Sequence, residues 1–349
     1  MTIHACIFTR HHYLAACMEL RTELKIKSFA QQIDLRDAVF LAGSCFTEHI
    51  GAQLAANKFS TCQNPHGILF NPVSVSAALE AYEQEKLYTE SDLFYHNELY
   101  SSWWHLGRFS HINAHAVLLM MNAETSHAHH FLKSAQWAII TLGSAWAYRL
   151  RKEAPGYLEA EAVANCHKVP AQHFIHYLLS YQQVCAHVQR IIKLLRQMQP
   201  GIRIIFTVSP VRHAREGLAE NNRSKGLLLN AVHEAVEAHE GVFYFPAYEL
   251  VIDDLRDYRF YADDLVHPNY QATRYVWQKF TDACINEASQ KLMKEIAEIR
   301  TAFHHRPLHA TTTHHHRFLQ AYLQKTLALA SAHPHLDFKA ELERFALEE

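Results

Sequence analysis

Four short runs of β-branched and aromatic residues, at positions 39–43, 137–143, 202–209 and 242–248, set the frame for everything else this chain can form. Each is apolar nearly throughout rather than alternating, so each reads as a strand buried on both faces. Between them the apolar residues recur at helical spacing. The plainest case is 174–198, where Tyr177, Leu178, Tyr181, Val184, Cys185, Val188, Ile191, Ile192 and Leu195 form one stripe and Pro200-Gly201 ends it. Strands alternating with such helices predict a parallel sheet covered on both faces. The strand ending at Gly43 runs at once into a helix over 47–58, with Ile50, Leu54 and Ala55 inward, so a strand end, a tight turn and a helix N-terminus coincide at Gly43-Ser44-Cys45. Asn71-Pro72 opens another helix, and Ser224 is expected to cap one over 224–239. Residues 88–136 are less regular, and Trp103-Trp104-His105-Leu106-Gly107-Arg108-Phe109 reads as an insertion over one end of the sheet. From about 270 the pattern is helical, first over 270–298 and then, past His304-His305-Arg306-Pro307, over 318–332.

A length of 349 residues suits one large domain with an appendage, divided here as 1–17, 18–290 and a C-terminal helical extension at 291–349. With 49% hydrophobic residues and only ten Gly and ten Pro, the chain folds rather than staying disordered. A net charge of −2 supplies no general field for nucleic acid or an anionic membrane, which leaves a small molecule as the expected partner. No apolar stretch approaches the ~20 residues of a membrane-spanning helix. Leu14-Ala15-Ala16-Cys17 looks like a lipoprotein cleavage box, but no apolar segment separates it from Arg10. Residues 1–17 are therefore read as a disordered or overextended leader before a natural start at Met18, and the protein as soluble and cytoplasmic. Seven cysteines without a C-x-x-C pair agree with a reducing compartment. Twenty-eight histidines make stability sensitive to mild acid.

The strongest chemical signal is Gly43-Ser44-Cys45-Phe46 at the strand-to-helix junction. Such a turn exposes a nucleophile at the carboxyl end of a sheet, with free N–H groups of the helix start beside it. The competing reading makes Ser44 a helix cap and Cys45 a small core residue. Far downstream, Asp264 and His267 have the spacing of a base and its orienting carboxylate on one loop, a pattern that completes a triad with a remote Ser or Cys. Alone, that pair is equally an ordinary loop histidine beside a solvated aspartate.

Together, in this order within an α/β chain, these motifs resemble the SGNH (GDSL-like) hydrolase superfamily, and within it the GSCFA family. The resemblance includes the residues from Leu41 to Gly51, Asn64 to Pro72, Thr141-Leu142-Gly143-Ser144-Ala145-Trp146, Asn165-Cys166-His167-Lys168-Val169-Pro170, Phe206 to Arg212 and the Asp264–His267 loop. It spans about residues 18 to 290 and implies a flavodoxin-like three-layer α/β/α sandwich and acyl-group chemistry, usually ester hydrolysis. Laid without gaps on the superfamily's Gly-Asp-Ser-Leu turn, Cys45 takes the serine position, and a thiol at a helix N-terminus near a histidine is expected to have a lowered pKa. A turn shifted by one residue makes Ser44 the attacking group, so both stand. Gly67 is similar to the superfamily's oxyanion-hole glycine, with an ordinary turn glycine as the competing reading. The block Gly-x-Asn-Asp falls at Gly143-Ser144-Ala145-Trp146, where Ala145 replaces the oxyanion asparagine and cannot donate. Asn165 or His167 is the expected substitute donor, unless their turn is purely structural.

Arg212, followed by His213 and Arg215, lies at a strand's carboxyl end, where doubly wound sheets bind ligands, and is expected to dock an anionic substrate group or to be a solvated charge. The groupings His127-His129-His130, His304-His305 and His314-His315-His316 lack accompanying carboxylate or thiol spacing, so no metal site is expected, and no cofactor. The resulting expectation is an acyl-ester or thioester hydrolase, or an acyltransferase, acting on a small-molecule or carbohydrate-linked acyl substrate. Cys45 or Ser44 attacks, His267 accepts the proton and Asp264 holds the imidazole tautomer. The alternative is a non-catalytic small-molecule or carbohydrate binding module that kept the sheet and pocket.

Overall fold

A parallel sheet of five strands carries the structure, a computed structural model that describes residues 21–151, 162–309 and 311–346. The leader expected at 1–17 lies outside the described residues. The strands are β1 (Ala38–Gly43), β2 (Ser60–Gln63), β3 (Trp137–Leu142), β4 (Arg203–Val208) and β5 (Val242–Tyr244), in the order β2-β1-β3-β4-β5. This is the flavodoxin-like doubly wound order, whose direction of winding reverses between β1 and β3. Phe40 pairs with Cys62 on one side and Ala138 on the other, and Ile140 with Phe206. Four strands coincide with the four apolar runs. The last stops at Tyr244 because Phe245-Pro246 follows, and proline has no N–H for a ladder.

Alternate residues face opposite layers. Val39, Leu41, Trp137, Ile139 and Ile205 enter one core, while Phe40, Ala42, Ala138, Ile140, Leu142, Phe206 and Val208 enter the other. Helix α1 (Cys45–Ala56) covers the first face. The second is covered by α2 (Pro72–Glu83), α3 (Ala114–Leu132), α4 (Tyr181–Met198) and α5 (Leu218–Ala238). The chain then returns to the first face with α6 (Tyr270–Cys284), α7 (Glu287–Phe303), α8 (Thr313–Ala332) and α9 (Lys339–Ala346). Among the described residues, no helix is long and apolar enough to cross a membrane.

Several helix boundaries differ from the sequence pattern, each for a local reason. The helix expected over 174–198 begins at Tyr181, because Ser180 and Gln183 form a reciprocal capping box there. Its expected first turn is instead a strand, Phe174–Leu178, antiparallel to Trp146–Leu150. Ser224 lies inside α5 rather than at its start, since its Oγ accepts from the Ala145 N–H at 2.7 Å. The helix expected over 270–298 divides at Asn286, whose side chain accepts from the Ser289 N–H at 2.8 Å and starts α7 afresh. The insertion holds a hairpin, Phe94–His96 with Leu99–Ser101, and Phe94 and Trp103 pack with Leu150 and Phe174 of the other hairpin. That second hairpin leaves β3 directly, so the two build outward from the carboxyl end of the sheet.

The C-terminal helices share a core with α1. Ile296, Leu319, Leu329 and Phe345 belong to the cluster that contains Phe46, Ile50 and Leu54. Lys58, just past α1, pairs with Glu341 at 2.6 Å, and Arg300 donates to the Ala56 carbonyl at 2.9 Å. Phe345→Ala is expected to cost about 3–5 kcal/mol of stability within a single unfolding transition. A denaturant titration that shows a separate, early transition with the sheet's midpoint unchanged would contradict a shared core.

Candidate active site

The seam between β1 and β3 fixes the first element of the site. Gly43 has φ +140°, and a Cβ there would lie 2.1 Å from the Thr141 carbonyl oxygen, so only glycine fits. The turn is tied by Ser44 N–H to Thr141 O at 3.0 Å, Gly43 N–H to Asn64 Oδ1 at 3.0 Å and Leu69 N–H to Gly43 O at 2.9 Å. Ser44 is the N-cap of α1, yet its side chain makes no capping bond, and its Oγ is fully buried without a partner. Cys45 follows as the first helical residue and is partly exposed. The lowered thiol pKa expected for it is not found. Burial and the Glu48 carboxylate push the thiol up, and they outweigh the N–H groups of Cys45 and Phe46 and the charge of Lys225. Cys45 is a neutral thiol at neutral pH.

The second element is the Asp264–His267 loop. Asp264 Oδ1 accepts from the N–H groups of Val266 and His267 at 2.9 and 3.0 Å, and Oδ2 accepts from His267 Nδ1 at 2.7 Å. These bonds hold the Asp264 carboxyl at about 2. With its proton on Nδ1, the half-exposed His267 ring has a free lone pair on Nε2. The loop is fastened to the end of β4 by Arg212 N–H to Val266 O at 3.2 Å. Since β1, β3 and β4 run parallel, this fastening puts the loop at the same end of the sheet as the Ser44-Cys45 turn. Among the described residues, no hydrogen bond joins His267 to Ser44 or Cys45.

The floor is built by α5. Asn221, Ser224 and Lys225 occupy one inward face at helical spacing: Asn221 Oδ1 accepts from the His213 N–H at 2.9 Å and Ser224 Oγ from the Ala145 N–H at 2.7 Å. Lys225 Nζ donates to the carbonyls of Gly143 and Ser209, both at 2.6 Å, and so ties the ends of β3 and β4 together. Burial lowers its pKa to about 7. His213 Nε2 is buried without a partner and lies 3.1 Å from the point a Gly143 Cβ would occupy, as does Ser44 Cβ. Burial, then the charges of Lys225 and His267, lower the His213 pKa to about 3, so its ring is neutral. Beside it opens a cavity of about 260 Å³ lined by Asn71, Ser144, Trp146, Asn165, His213 and Arg215, among others.

The remaining sequence candidates separate. Asn165 lines this cavity. His167 does not; its Nε2 bonds the Ser102 carbonyl at 2.8 Å and holds the insertion in place. The Gly67 N–H is already donated to the Asn64 carbonyl at 2.7 Å, and a Cβ there would strike Leu106 at 2.2 Å, so the turn accounts for this glycine and its N–H is not free for an oxyanion. The Arg212 guanidinium lies over the rings of Tyr261 and Tyr258, at 4.2 and 5.1 Å, and Arg215 is the guanidinium that faces the cavity. Sequence reasoning missed Asn64, Ser224 and Lys225. The signal for the last two was a polar start, Asn221-x-x-Ser224-Lys225, to the inward stripe Leu228, Ala231, Val232 and Ala235. Among the described residues, no three His, Cys, Asp or Glu side chains gather as metal ligands.

The family model described as GSCFA family matches residues 38–280, more than half of the chain, and that described as GSCFA domain protein, C-terminal domain, matches 296–348. No curated protein sequence matches this one. Similar solved structures include a carbohydrate esterase family 3 from Talaromyces cellulolyticus, at 9% identity and TM-score 0.34, over 75% of this chain and 99% of that one. Another is an acetyl esterase mutant with acetate ion, at 10% identity and TM-score 0.33, over the same 75% and 99%. Likeness at these scores says nothing of this chain's chemistry.

Alkylation of Cys45 by iodoacetamide, read by peptide mass spectrometry, is expected to be slow at neutral pH and to keep rising with pH past the ordinary thiol value of 9.0 before it levels off. A rate that levels off below about pH 8 would show a thiolate instead. Stability is expected to fall as pH drops below the ordinary histidine value of 6.5, because the unfolded chain takes up protons there that buried His66, His105 and His213 do not. Equal denaturation midpoints at about pH 7.5 and 5.5 would contradict this.

Proposed function

The chain belongs to the GSCFA family, and on that premise we propose that it is an acyl-ester hydrolase or acyltransferase in which Ser44 attacks the acyl carbonyl. One observation carries the reading. A buried, unpartnered hydroxyl at a helix N-terminus shares the carboxyl end of the sheet with an imidazole whose Nδ1 is fixed by a carboxylate and whose Nε2 is free. His267 Nε2 takes the Ser44 proton as the Oγ–carbon bond forms and the carbonyl electron pair moves to oxygen. The pair returns, the bond to the leaving alcohol breaks, and His267 gives that alcohol the proton. Water or another alcohol then repeats the sequence, which gives hydrolysis or transfer. Ser44 is preferred to Cys45 because its hydroxyl is the one held at the helix cap without a partner, while the thiol, pushed up by burial and Glu48, has lost the thiolate advantage a cysteine would bring. The unpaired N–H groups at the start of α1 supply part of the oxyanion site. A small acyl ester, including one carried by a carbohydrate, matches in size the cavity of about 260 Å³, whose lining includes Ser144 and His213 but not Ser44 or His267.

The second reading, a binding module without catalysis, is favoured by the missing hydrogen bond between His267 and Ser44. In unliganded sites such bonds are often long and tighten when substrate arrives. With p-nitrophenyl acetate as probe, Ser44→Ala is expected to abolish turnover, His267→Ala to lower kcat about 10²–10⁴-fold, and Cys45→Ala to keep most of it. The reverse pattern at 44 and 45 would move the nucleophile to the thiol. A wild-type protein that neither turns over nor reacts with a fluorophosphonate would leave the binding module.

A further inference from the structure

We propose that His213 is a catalytic residue, donating a hydrogen bond from Nε2 to the acyl oxygen as Ser44 attacks, and so standing in for the donor lost at Ala145. This rests on the acyl-transfer reading above. Buried ring nitrogens without a partner are rare in folded proteins, and His213 Nε2 is one. Its position is specific. Because Gly143 has no side chain, a notch remains whose walls are His213 Nε2 at 3.1 Å, Ser44 Cβ at 3.1 Å and the Phe70 carbonyl oxygen at 3.2 Å from the absent Cβ. The Phe70 carbonyl is already occupied by the N–H groups of Gly143 and Ser144, at 2.7 and 2.9 Å. An acyl group bonded to Ser44 Oγ has its carbonyl oxygen within two bonds of that hydroxyl oxygen, and in the proposed arrangement that oxygen occupies this notch, against His213 Nε2.

The imidazole is held for the task. Its backbone N–H is bonded to Asn221 Oδ1 at 2.9 Å, and its ring stands edge-on to Phe70 at 5.4 Å. Burial, and after it the nearby charges of Lys225 and His267, keep the ring neutral. A neutral imidazole with so low a pKa is a poor base but a sound donor, since it stabilises the growing negative charge and keeps its own proton. Proton balance is therefore unchanged: the Ser44 proton still passes to His267 and from there to the leaving alcohol.

The test is steady-state kinetics of the full-length protein with p-nitrophenyl acetate, together with the rate of fluorophosphonate labelling. His213→Phe, with its fold checked by circular dichroism, is expected to lower kcat about 10²–10³-fold with little change in KM, and to slow labelling to a similar extent. His213→Gln, whose amide keeps a donor, is expected to recover at least a tenth of the wild-type rate. The same ionisation in the profile of kcat against pH is expected in all three proteins. Should the Phe variant not fold, His213→Leu makes the same comparison. A folded Phe or Leu variant with kcat within about threefold of wild type overturns the proposal. So does a Gln variant no faster than Phe, which would mean a structural role, or loss of the ionisation with His213, which would make it the base. A wild-type protein inert to both probes instead overturns the acyl-transfer reading itself.

Discussion

The contact between Gly43 and the Thr141 carbonyl oxygen is the constraint from which the site follows. At the point where the winding of the sheet reverses, β1 and β3 end side by side, and no side chain fits between them. The chain must turn there, and α1 starts on the next residues. Ser44 is thereby placed at a helix cap without serving as one, its hydroxyl buried and unpartnered. The far end of the same helix is gripped by the C-terminal helices through Lys58–Glu341 and Arg300–Ala56. Helices α7 and α9 thus bear on the position of Ser44 from the opposite end of α1.

Electrostatics then divides two histidines. His267 lies half exposed with a carboxylate on Nδ1, an environment that suits a proton acceptor. His213 is buried near Lys225, an environment that keeps it neutral. Lys225 is the less usual partner. A lysine buried without a carboxylate is costly, and here the cost is offset by two carbonyl acceptors at the ends of β3 and β4. Those carbonyls belong to the loops that carry the notch and His213, so the lysine holds the floor of the site together as well as setting its charge.

What the sequence revealed followed from burial. Strands β1, β3 and β4 are buried on both faces and show as apolar runs, whereas the edge strand β2, Ser60-Thr61-Cys62-Gln63, buries only Cys62 and has no such signature. Tyr177 and Leu178 satisfy a helical stripe as well as a strand, and only the Ser180–Gln183 cap decides between them. In the site, the Gly-Ser-Cys turn and the Asp-x-x-His loop were legible as motifs. The full burial of Ser44 and the raised thiol pKa of Cys45 were not, because they depend on what the fold desolvates and on Glu48 one turn along the helix. Arg212 looked available for substrate because its partners, Tyr258 and Tyr261, are brought to it by the fold, and Gly67 because Leu106, which packs against it, is distant in sequence, although its turn bond to Asn64 is local.

The central proposal is that the hydroxyl of Ser44 passes its proton to the Nε2 of His267 although no hydrogen bond joins them in the unliganded protein. A crystal structure of the protein after reaction with a small fluorophosphonate tests this most directly. The account predicts a phosphorus–oxygen bond at Ser44 Oγ, with His267 Nε2 within hydrogen-bonding distance of an oxygen on that phosphorus. An adduct on another residue, or one at Ser44 with His267 turned away to solvent, would contradict it.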